Sequence, residues 1–373
     1  MARIVFFIDH LRHDGTQRVL KQLIEGLAAR GHTLAVVCLD ASWDDQLVAA
    51  LRAVGAEVRV IGRWPLVQGY GLLTLWLWLR HRHFDVAVTL LAIADIAGRP
   101  VARLAGIPRV LSSIRARNVN YPRWKLLLAR TTMPLANAVI VNSAATLSWA
   151  LEGEGAPTGA TSVIPNGVAV GAYAQPYGRA ELRAHFGISE SHAIIGCVGR
   201  LTAQKGQDLL LKALAQIGQN EIDLLLIGEG EDAQKLRDLV GQLGLGARVY
   251  FVGYRRDVPR ILGALDLYVH PARFEGMPNA LLEAMAAGCP IVASVADGNR
   301  DLIEEGVSGW LVPIDDVAAL AAAIGTALAN LDEARRRGAV ARERAVRQFS
   351  LEAMVEAWEA VLLPSVTSIS PAV

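Results

Sequence analysis

Two short stretches in the second half of the chain carry the residues best suited to chemistry. The stretch FEGMPNALLEAMAAGCP, at 274–290, holds Glu275 and Glu283, and the stretch GRLTAQKGQDLLLKAL, at 199–214, holds Arg200 and Lys205. A guanidinium binds phosphate oxygens as a two-pronged donor, and an ammonium binds them as a point charge. A carboxylate can accept hydrogen bonds from a diol, as acidic residues do with ribose. Together these side chains suit a ligand that contains both a diphosphate and a diol.

The first of these stretches also predicts the start of a helix. Proline is favoured at a first helical position, so Pro278 marks the start, and Gly288 and Pro290 mark the end. The first N–H groups of a helix have no partner within it and lie at the positive end of its dipole, where an anion can bind. These groups would be the amides of Asn279, Ala280 and Leu281. Gly276 would let a ligand approach the backbone, although an ordinary capped core helix with two solvated glutamates would have the same sequence.

The two cations and three further loops are expected to surround the same ligand. Arg200 and Lys205 follow the predicted strand AIIGCVG, so they should project from its carboxyl end towards a diphosphate that is clamped from the opposite side. Gly228 lies in IGEG after another strand, although a GxG pattern also occurs wherever a tight turn is needed. The backbone around Arg255, in FVGYRRDVPRIL, could cover a base. Gly15, in DHLRHDGTQRVL, could bring backbone amides to phosphate from the opposite wall.

The elements that must position these residues follow an α/β pattern. Continuous apolar runs of strand length alternate with helical stretches, which is typical of parallel strands buried on both faces. The first series is RIVFFID, TLAVVCLD, EVRVIG, VAVTLL, RVLSSI and AVIVNS, and the second is AIIGCVG, DLLLIGEG, VYFVG, LYVHPA, PIVAS and GWLVP. We therefore predict two Rossmann-like domains that face each other across a cleft. The predicted boundaries are 1–170, 171–338, a helix over 339–362 that packs back towards the first domain, and a disordered tail over 363–373.

Size and composition favour a cytoplasmic protein of two domains. The chain has 373 residues, of which 53% are hydrophobic and 20% charged. The run 86–94, which is apolar apart from Thr89, is far shorter than the roughly 20 residues that span a bilayer. The start MARIVFFID predicts a first strand and not a signal peptide. The three cysteines have no metal-like spacing, which indicates reduced core residues.

The charges are distributed unevenly along the chain. Residues 1–170 contain 18 Lys+Arg and 11 Asp+Glu, whereas residues 171–373 contain 19 and 25. The first part also holds Trp76, Trp78 and Trp124 close to arginines. Amphipathic helices with tryptophan and arginine bind anionic membrane surfaces well, so we expect a peripheral membrane protein, unless these helices simply pack on the sheet with solvated ends. No recognised nucleic-acid motif accompanies the charge, and we predict no nucleic-acid partner.

The motifs together resemble those of a known family, the retaining GT-B glycosyltransferases of family four. The resemblance covers nearly the whole chain and is strongest over 193–313. Its main signature is two glutamates separated by seven residues within EGxPNxLLEAMAxGxP, matched from Glu275 to Pro290. The patterns GRLxxxKG at Arg200–Gly206, GxG at Gly228–Gly230 and VIPNGV at Val163–Val168 also fit.

The resemblance implies a role for each matching residue. Arg200 and Lys205 would neutralise the donor diphosphate, Glu283 would hold the ribose hydroxyls, and the backbone around Arg255 would hold the base. Glu275, Asn279 and the following amides would hold the sugar and the diphosphate. The implied reaction is hexosyl transfer from a nucleotide sugar, most simply a UDP-sugar, to a glycan or polyprenyl-linked acceptor. No cofactor and no metal are expected, because paired DxD-type carboxylates are absent from the sequence.

The sequence also departs from the family pattern on the acceptor side. Most members have a histidine after the fifth strand of the first domain, whereas this chain has Arg115, followed by Arg117 and Asn118, which we assign to the acceptor. Three histidines are further candidates near the cleft: His10, His13 and His270. Two other functions remain possible from the sequence, a nucleotide-sugar epimerase or hydrolase of the same fold and an inactive scaffold homologue. The presence of both glutamates and both cations argues against the inactive form.

Overall fold

The computed structural model describes residues 1–12, 14–62, 65, 68–117, 121–218 and 221–364, which form two compact units. The N-terminal unit consists of Met1–Gly167 together with the segment that begins at Leu351. The C-terminal unit is Val168–Ser350. The chain therefore leaves the first unit close to the predicted boundary at 170 and returns to it near its end.

The N-terminal unit is built on a parallel sheet of seven strands in the order β3-β2-β1-β4-β5-β6-β7. The strands are β1 Arg3–Ile8, β2 Thr33–Cys38, β3 Glu57–Val60, β4 Val86–Leu90, β5 Arg109–Ile114, β6 Ala138–Val141 and β7 Thr161–Val163. The first six coincide with the apolar runs of the sequence, which the structure confirms as strands. The seventh was not predicted, because three residues that include a threonine and a serine carry no apolar pattern.

Helices cover both faces of this sheet. They are α1 Gly15–Ala29, α2 Asp45–Ala53, α3 Tyr70–Arg82, α4 Arg99–Leu104, α5 Arg123–Thr132 and α6 Ala144–Glu152. Alternate residues of β1 point to opposite faces. Phe6 packs in one core with residues of α1 and α2, whereas Phe7 packs in another with residues of α3 and α4.

The C-terminal unit has a parallel sheet of six strands in the order β10-β9-β8-β11-β12-β13. The strands are β8 Ala193–Val198, β9 Ile222–Ile227, β10 Val249–Gly253, β11 Leu267–His270, β12 Ile291–Ser294 and β13 Trp310–Val312. Its helices are α7 Arg179–Phe186, α8 Gln207–Ile217, α9 Ala233–Gln242, α10 Val258–Leu262, α11 Asn279–Ala286, α12 Asp297–Leu302, α13 Val317–Ala329 and α14 Leu331–Gln348. All six strands predicted for this part of the chain are present. Because β8 lies between β9 and β11, the loops that follow these three strands meet at one edge.

The end of the chain differs from the sequence-based prediction of one helix over 339–362. The helix α14 ends at Gln348, and a second helix, α15 Leu351–Leu362, follows it in the N-terminal unit. At the break, the carbonyl of Phe349 accepts a hydrogen bond from the amide of Val168, and Ser350 forms an isolated β-bridge with the same residue. In α15, Trp358 is fully buried in the core that includes α1. Apart from residues 363 and 364, the predicted tail lies outside the described residues.

None of the described helices is long and apolar enough to span a bilayer by itself. The pair α13 and α14 reaches the required length and hydropathy only when taken together, and it is bent by 102°.

Candidate functional site

The candidate site lies at the carboxyl edge of the C-terminal sheet, where backbone hydrogen bonds join the loops after β8, β9 and β10. The amide of Leu201 donates to the carbonyl of Glu229 at 2.9 Å, and the amide of Gly228 donates to the carbonyl of Gly253 at 2.9 Å. Ligands of open parallel sheets bind outside the carboxyl ends of the strands. The segments GRL and GEG that the sequence singled out are therefore in direct contact at the place where a ligand is expected.

Two glycines permit this close approach of loops. Gly228 has φ +137°, and a Cβ added there would lie 2.1 Å from the carbonyl oxygen of Gly199. Gly206 has φ +68°, and its added Cβ would lie 2.1 Å from the carbonyl oxygen of Pro271. Side chains rarely adopt such backbone conformations, and neither gap would hold one. Gly206 thus brings the loop that carries Lys205 against the end of β11.

Lys205 and Glu275 form an ion pair at this edge. The Nζ of Lys205 donates to Oε1 of Glu275 at 2.5 Å, and the side chains are 18% and 6% exposed. Burial by itself raises the pKa of Glu275, but the charge of Lys205 and the hydrogen bond from His270 outweigh it and lower that pKa to about 2. Glu275 is therefore a carboxylate at any physiological pH.

The ion pair corrects one sequence-based expectation. The cations and the helix start were expected to clamp a diphosphate from opposite sides. Instead, Lys205 contacts the loop that leads directly into α11, and both belong to the same edge of the same unit. Sequence spacing could not give this result, because it depends on β8 and β11 being neighbours in the sheet.

The start of α11 has the form of an anion-binding helix end. The helix begins at Asn279 with Pro278 as its N-cap, and the side chain of Pro278 makes no capping hydrogen bond to the first turn. Gly298 packs so closely that an added Cβ would lie 2.2 Å from the carbonyl oxygen of Gly276, which fixes the loop before the helix. Asn279 and Ala280 are half-buried, whereas the Leu281 side chain lies in the core, so Leu281 can offer only its backbone.

Glu283 lies one turn further into α11 and is only 3% exposed. Its neighbours on the helix, Leu282 and Ala284, belong to the hydrophobic core. A carboxylate in such surroundings costs free energy unless polar groups meet it. Its position next to the helix start suits a residue that holds a hydroxyl-bearing ligand.

Arg200 and Arg255 differ in how their side chains are placed. Arg200 is exposed, and its carbonyl accepts a hydrogen bond from Gln207 at 2.9 Å, which fixes the backbone of this loop. The Arg255 guanidinium donates to both carboxylate oxygens of Asp257, at 2.8 and 2.6 Å, and lies 3.1 Å from the ring of His185. The side chain of Arg255 is thus already engaged, which leaves its backbone for the predicted contact with a base.

Arg273 is a residue of this site that the sequence analysis missed. Its guanidinium makes two hydrogen bonds to Asp208, at 2.8 and 2.9 Å, one to Asp315 at 2.7 Å and one to the carbonyl of Ala203 at 2.6 Å. It therefore ties the end of β11 to the turn that precedes Lys205. A lone arginine in a loop gives no signal in the sequence, because its partners are distant along the chain.

The predicted acceptor residues lie in the N-terminal unit. Arg115 follows β5 and is buried, its guanidinium donates to the side chain of Asn166, and its Nη1 has no hydrogen-bond partner in the described part of the chain. Burial lowers the pKa of Arg115 to about 10. Arg117 is exposed, and Asn118 lies outside the described residues, as does His13.

Two further residues of the N-terminal unit, Gly15 and Asp9, lie at the ends of its secondary-structure elements. Gly15 is the first residue of α1, and the preceding Asp14 makes no side-chain cap. Asp9, at the end of β1, was not singled out by the sequence analysis. Burial raises its pKa to about 6, although its carboxylate accepts hydrogen bonds from the amides of Ile93, at 3.1 Å, and Ala94, at 2.7 Å.

Fold and site together define a class of protein. The protein has two α/β units, each with a parallel sheet. At the edge of the second sheet, a cationic loop lies beside the start of a helix. These are features of GT-B glycosyltransferases. Residues 13–171 match the family described as Glycosyltransferase Family 4, and residues 178–344 match the family described as Glycosyl transferases group 1. The chain belongs to this glycosyltransferase family and is a hexosyltransferase.

Individual relatives agree with this assignment. The chain is 26% identical over 321 residues to the UDP-Gal:alpha-D-GlcNAc-diphosphoundecaprenol alpha-1,3-galactosyltransferase of Escherichia coli, with 82% of each chain covered. It is 30% identical over 264 residues to a GDP-mannose-dependent alpha-(1-6)-phosphatidylinositol monomannoside mannosyltransferase of Mycolicibacterium smegmatis, with 66% of this chain and 68% of that protein covered. The crystal structure of HepE from Anabaena in complex with UDP-glucose has the same fold, with a TM-score of 0.86 and 24% identity over 96% of this chain and 98% of that one.

Proposed function

We propose that this glycosyltransferase moves a hexose, with retention of configuration, from a UDP-sugar to a glycan or lipid-linked acceptor during assembly of cell-surface polysaccharide or glycoconjugate. The observation that carries the proposal is the contact of Lys205 with Glu275 beside the start of α11. A cation and a row of helix-terminal amides at one place suit the two phosphate groups of a nucleotide sugar.

The protein's contribution to the reaction is positioning and charge stabilisation. Arg200 and Lys205 hold the diphosphate and neutralise the charge that develops on it when the sugar leaves. Glu283 holds the ribose hydroxyls. The leaving diphosphate removes the proton of the acceptor hydroxyl on the same face of the sugar. No bond between the sugar and the protein is required.

The low pKa of Glu275 supports a holding role for this residue. A group that becomes protonated only near pH 2 is a weak base and supplies no proton at neutral pH, so it is poorly suited to general acid or base catalysis. As a permanent carboxylate, Glu275 can instead orient Lys205 and accept a hydrogen bond from a sugar hydroxyl. The proposed reaction requires no other role for Glu275.

The choice of a uridine donor rests on relatives. The galactosyltransferase of Escherichia coli is named for UDP-Gal, and the HepE structure contains UDP-glucose, whereas the mycobacterial relative is GDP-mannose-dependent. A thermal-shift panel of UDP-glucose, UDP-galactose and GDP-mannose tests the choice, because a ligand that binds the folded state raises its melting temperature. A rise with a UDP-sugar supports the proposal. If GDP-mannose alone raises the melting temperature, the donor is a guanosine and not a uridine nucleotide. If none of the three ligands raises it, the proposed donor class is contradicted.

The N-terminal unit suits an acceptor at an anionic membrane surface. In α5, Trp124 and Leu127 are each 61% exposed, next to Arg123 and Arg130. In α3, three exposed apolar side chains share one face and are followed by a basic end. These side chains are Tyr70, Leu73 and Leu77. Exposed apolar residues flanked by cations are typical of helices that lie in the headgroup region of a bilayer. We therefore propose that the enzyme works at the inner face of the cytoplasmic membrane.

Liposome co-sedimentation tests this placement. Wild type should sediment with vesicles that contain anionic lipid and release at high salt. Replacing Trp124 and Leu127 by serine should weaken binding, whereas the matched replacement of Val346, which is 47% exposed on α14, should not. Sedimentation that is absent at low salt, or equal for all three proteins, would contradict the membrane proposal and leave the donor proposal untouched.

A further inference from the structure

Two residues of β11 lie behind Glu275 and continue its hydrogen bonds into the core. Tyr268 and His270 are two positions apart on the strand, so they share a face, and both are at most 2% exposed. The Nδ1 of His270 lies 3.1 Å from the hydroxyl of Tyr268, and its Nε2 lies 3.1 Å from Oε1 of Glu275. The same Oε1 accepts the hydrogen bond from Lys205. An unbroken chain of hydrogen bonds therefore runs from Tyr268 to Lys205.

The protons of this chain can be placed in two ways. Glu275 is ionised and can only accept, so Nε2 of His270 must carry a hydrogen. If the imidazole is neutral, Nδ1 has a lone pair and the hydroxyl of Tyr268 donates to it. If it is charged, Nδ1 donates to the Tyr268 oxygen, and the hydroxyl hydrogen turns towards the carbonyl of Val198, 3.4 Å away. Both protonation states of His270 are thus satisfied without moving a heavy atom.

The charge balance of Glu275 changes when a diphosphate binds. In the structure Lys205 neutralises Glu275, but two phosphate groups attract the same ammonium. A buried carboxylate that loses part of its counter-charge is destabilised unless another cation compensates. The ionisable groups around Tyr268 and Glu275 are Cys197, Cys289, Glu283, Lys205 and His270. Of these, only His270 both contacts Glu275 directly and has a side chain of the type that ordinarily changes charge between about pH 5 and 8.

We propose that His270 is a positioning residue that takes up a proton when the donor diphosphate engages Lys205. The imidazolium then replaces part of the interaction between Lys205 and Glu275, and the hydroxyl of Tyr268 donates its hydrogen bond to the carbonyl of Val198. In this step one proton moves from solvent to the imidazole, and no covalent bond of the donor changes. The inference rests on the proposed function, because it requires Lys205 to bind the diphosphate.

Isothermal titration calorimetry with UDP-glucose tests the proposal. This donor has no group that titrates near neutral pH, so any proton exchanged belongs to the protein. Titrations at pH 7 in two buffers with different ionisation enthalpies should show net uptake of up to about one proton per site. The affinity for UDP-glucose should also fall as the pH rises from 6 to 8. This second measurement needs only the wild-type protein.

Three variants identify the residue that takes up the proton when UDP-glucose binds. His270→Gln keeps an N–H donor for Glu275 but cannot titrate, so it should bind UDP-glucose without proton uptake and without the pH dependence. Tyr268→Phe removes the partner of Nδ1 in both states, but a buried N–H of a charged imidazole left without an acceptor costs more than an unpaired lone pair, so the uptake should fall. His192→Gln is the matched control: His192 also pairs with a carboxylate, Asp223, at 2.8 Å, but lies before β8, and its loss should change nothing.

The outcomes separate this inference from the proposed function. Binding of UDP-glucose by wild type without proton uptake, or uptake that persists in His270→Gln, would overturn the role of His270 alone. If UDP-glucose does not bind, the same titrations are made with GDP-mannose. Failure of both to bind would contradict the proposed donor class and the inference with it. Thermal unfolding of each variant shows whether it is folded under the conditions of the titration.

Discussion

The ammonium of Lys205 lies 2.5 Å from Oε1 of Glu275, a residue 70 positions further along the chain. The contact joins the loop after β8 to the loop after β11, and it exists because these strands are neighbours in the sheet. A ligand bound at this edge would meet a cation whose position is set by a buried carboxylate.

The pair is expected to be coupled energetically. Lys205→Met leaves Glu275 buried without its ammonium and should lower the free energy of unfolding by on the order of 3 kcal/mol. In the double variant with Glu275→Gln the loss should be clearly smaller, since no buried charge remains. Urea unfolding of the four proteins in a double-mutant cycle measures the coupling. Strictly additive effects would show that the two side chains act independently.

The same pair predicts how stability depends on pH. The pKa of Glu275 is lowered from 4.5 to about 2 in the folded protein, so its stabilising contribution is present above pH 4.5 and is lost as the pH falls towards 2. The difference in stability between wild type and Lys205→Met should therefore shrink over this range. A difference that stays constant down to the acid limit of folding would contradict the pairing of these charges.

A further prediction concerns Gly206, the glycine that sets the position of Lys205, with Gly187 as its control. Gly187→Ala introduces a side chain at φ +69° with open space around it and should cost about 1–2 kcal/mol. Gly206→Ala has nearly the same φ but meets the carbonyl of Pro271, so it should cost about 3 kcal/mol or more and weaken donor binding. Equal costs in urea unfolding would mean that the two loops are not packed as described.

The role of Glu283 is tested with the sugar part of the nucleotide. If its carboxylate accepts hydrogen bonds from ribose, Glu283→Gln should weaken UDP binding by about 10-fold or more, since a charged hydrogen bond contributes roughly 1.5–3 kcal/mol. Binding of 2′,3′-dideoxyuridine diphosphate should be weak in both proteins and nearly equal. Glu343→Gln, at an exposed position on α14, serves as the control. Equal weakening of both nucleotides by Glu283→Gln would assign the residue a structural role instead.

Another prediction concerns metal. The described residues contain no cluster of three or more histidine, cysteine, aspartate or glutamate side chains that could hold an ion. In the proposed reaction Arg200 and Lys205 neutralise the diphosphate, so EDTA should change the rate of sugar transfer by less than about two-fold. A large loss of activity that added Mg²⁺ or Mn²⁺ reverses would show that these cations are not sufficient.

Much of the fold could be predicted from the sequence. Strands buried on both faces are continuous apolar runs, and twelve of the strands in the structure were found in this way. The exception, β7, is short and polar at two of its positions, so its place is set by pairing with β6 and not by its own pattern. The division of the last helical stretch was also missed, because the contact of Phe349 with Val168 is distant in sequence.

The sequence names candidate site residues but does not give their arrangement. The motifs named Arg200, Lys205, Glu275 and Glu283, and the structure places Lys205 and Glu275 in contact. Strand order decides which loops meet, and no local pattern encodes strand order. For the same reason, the hydrogen bonds of Arg273 and of His270 could not be predicted from the sequence.

The central claim, that Arg200 and Lys205 grip the diphosphate of the donor, is tested most directly by comparing UDP with uridine in isothermal titration calorimetry. Arg200→Met and Lys205→Met should each weaken UDP binding by about 10- to 100-fold, as expected for loss of a charged hydrogen bond, and leave uridine binding nearly unchanged. Lys212→Met, which removes an exposed positive charge from α8, should leave both unchanged. UDP binding that is as tight in the Arg200 and Lys205 variants as in wild type would contradict the account.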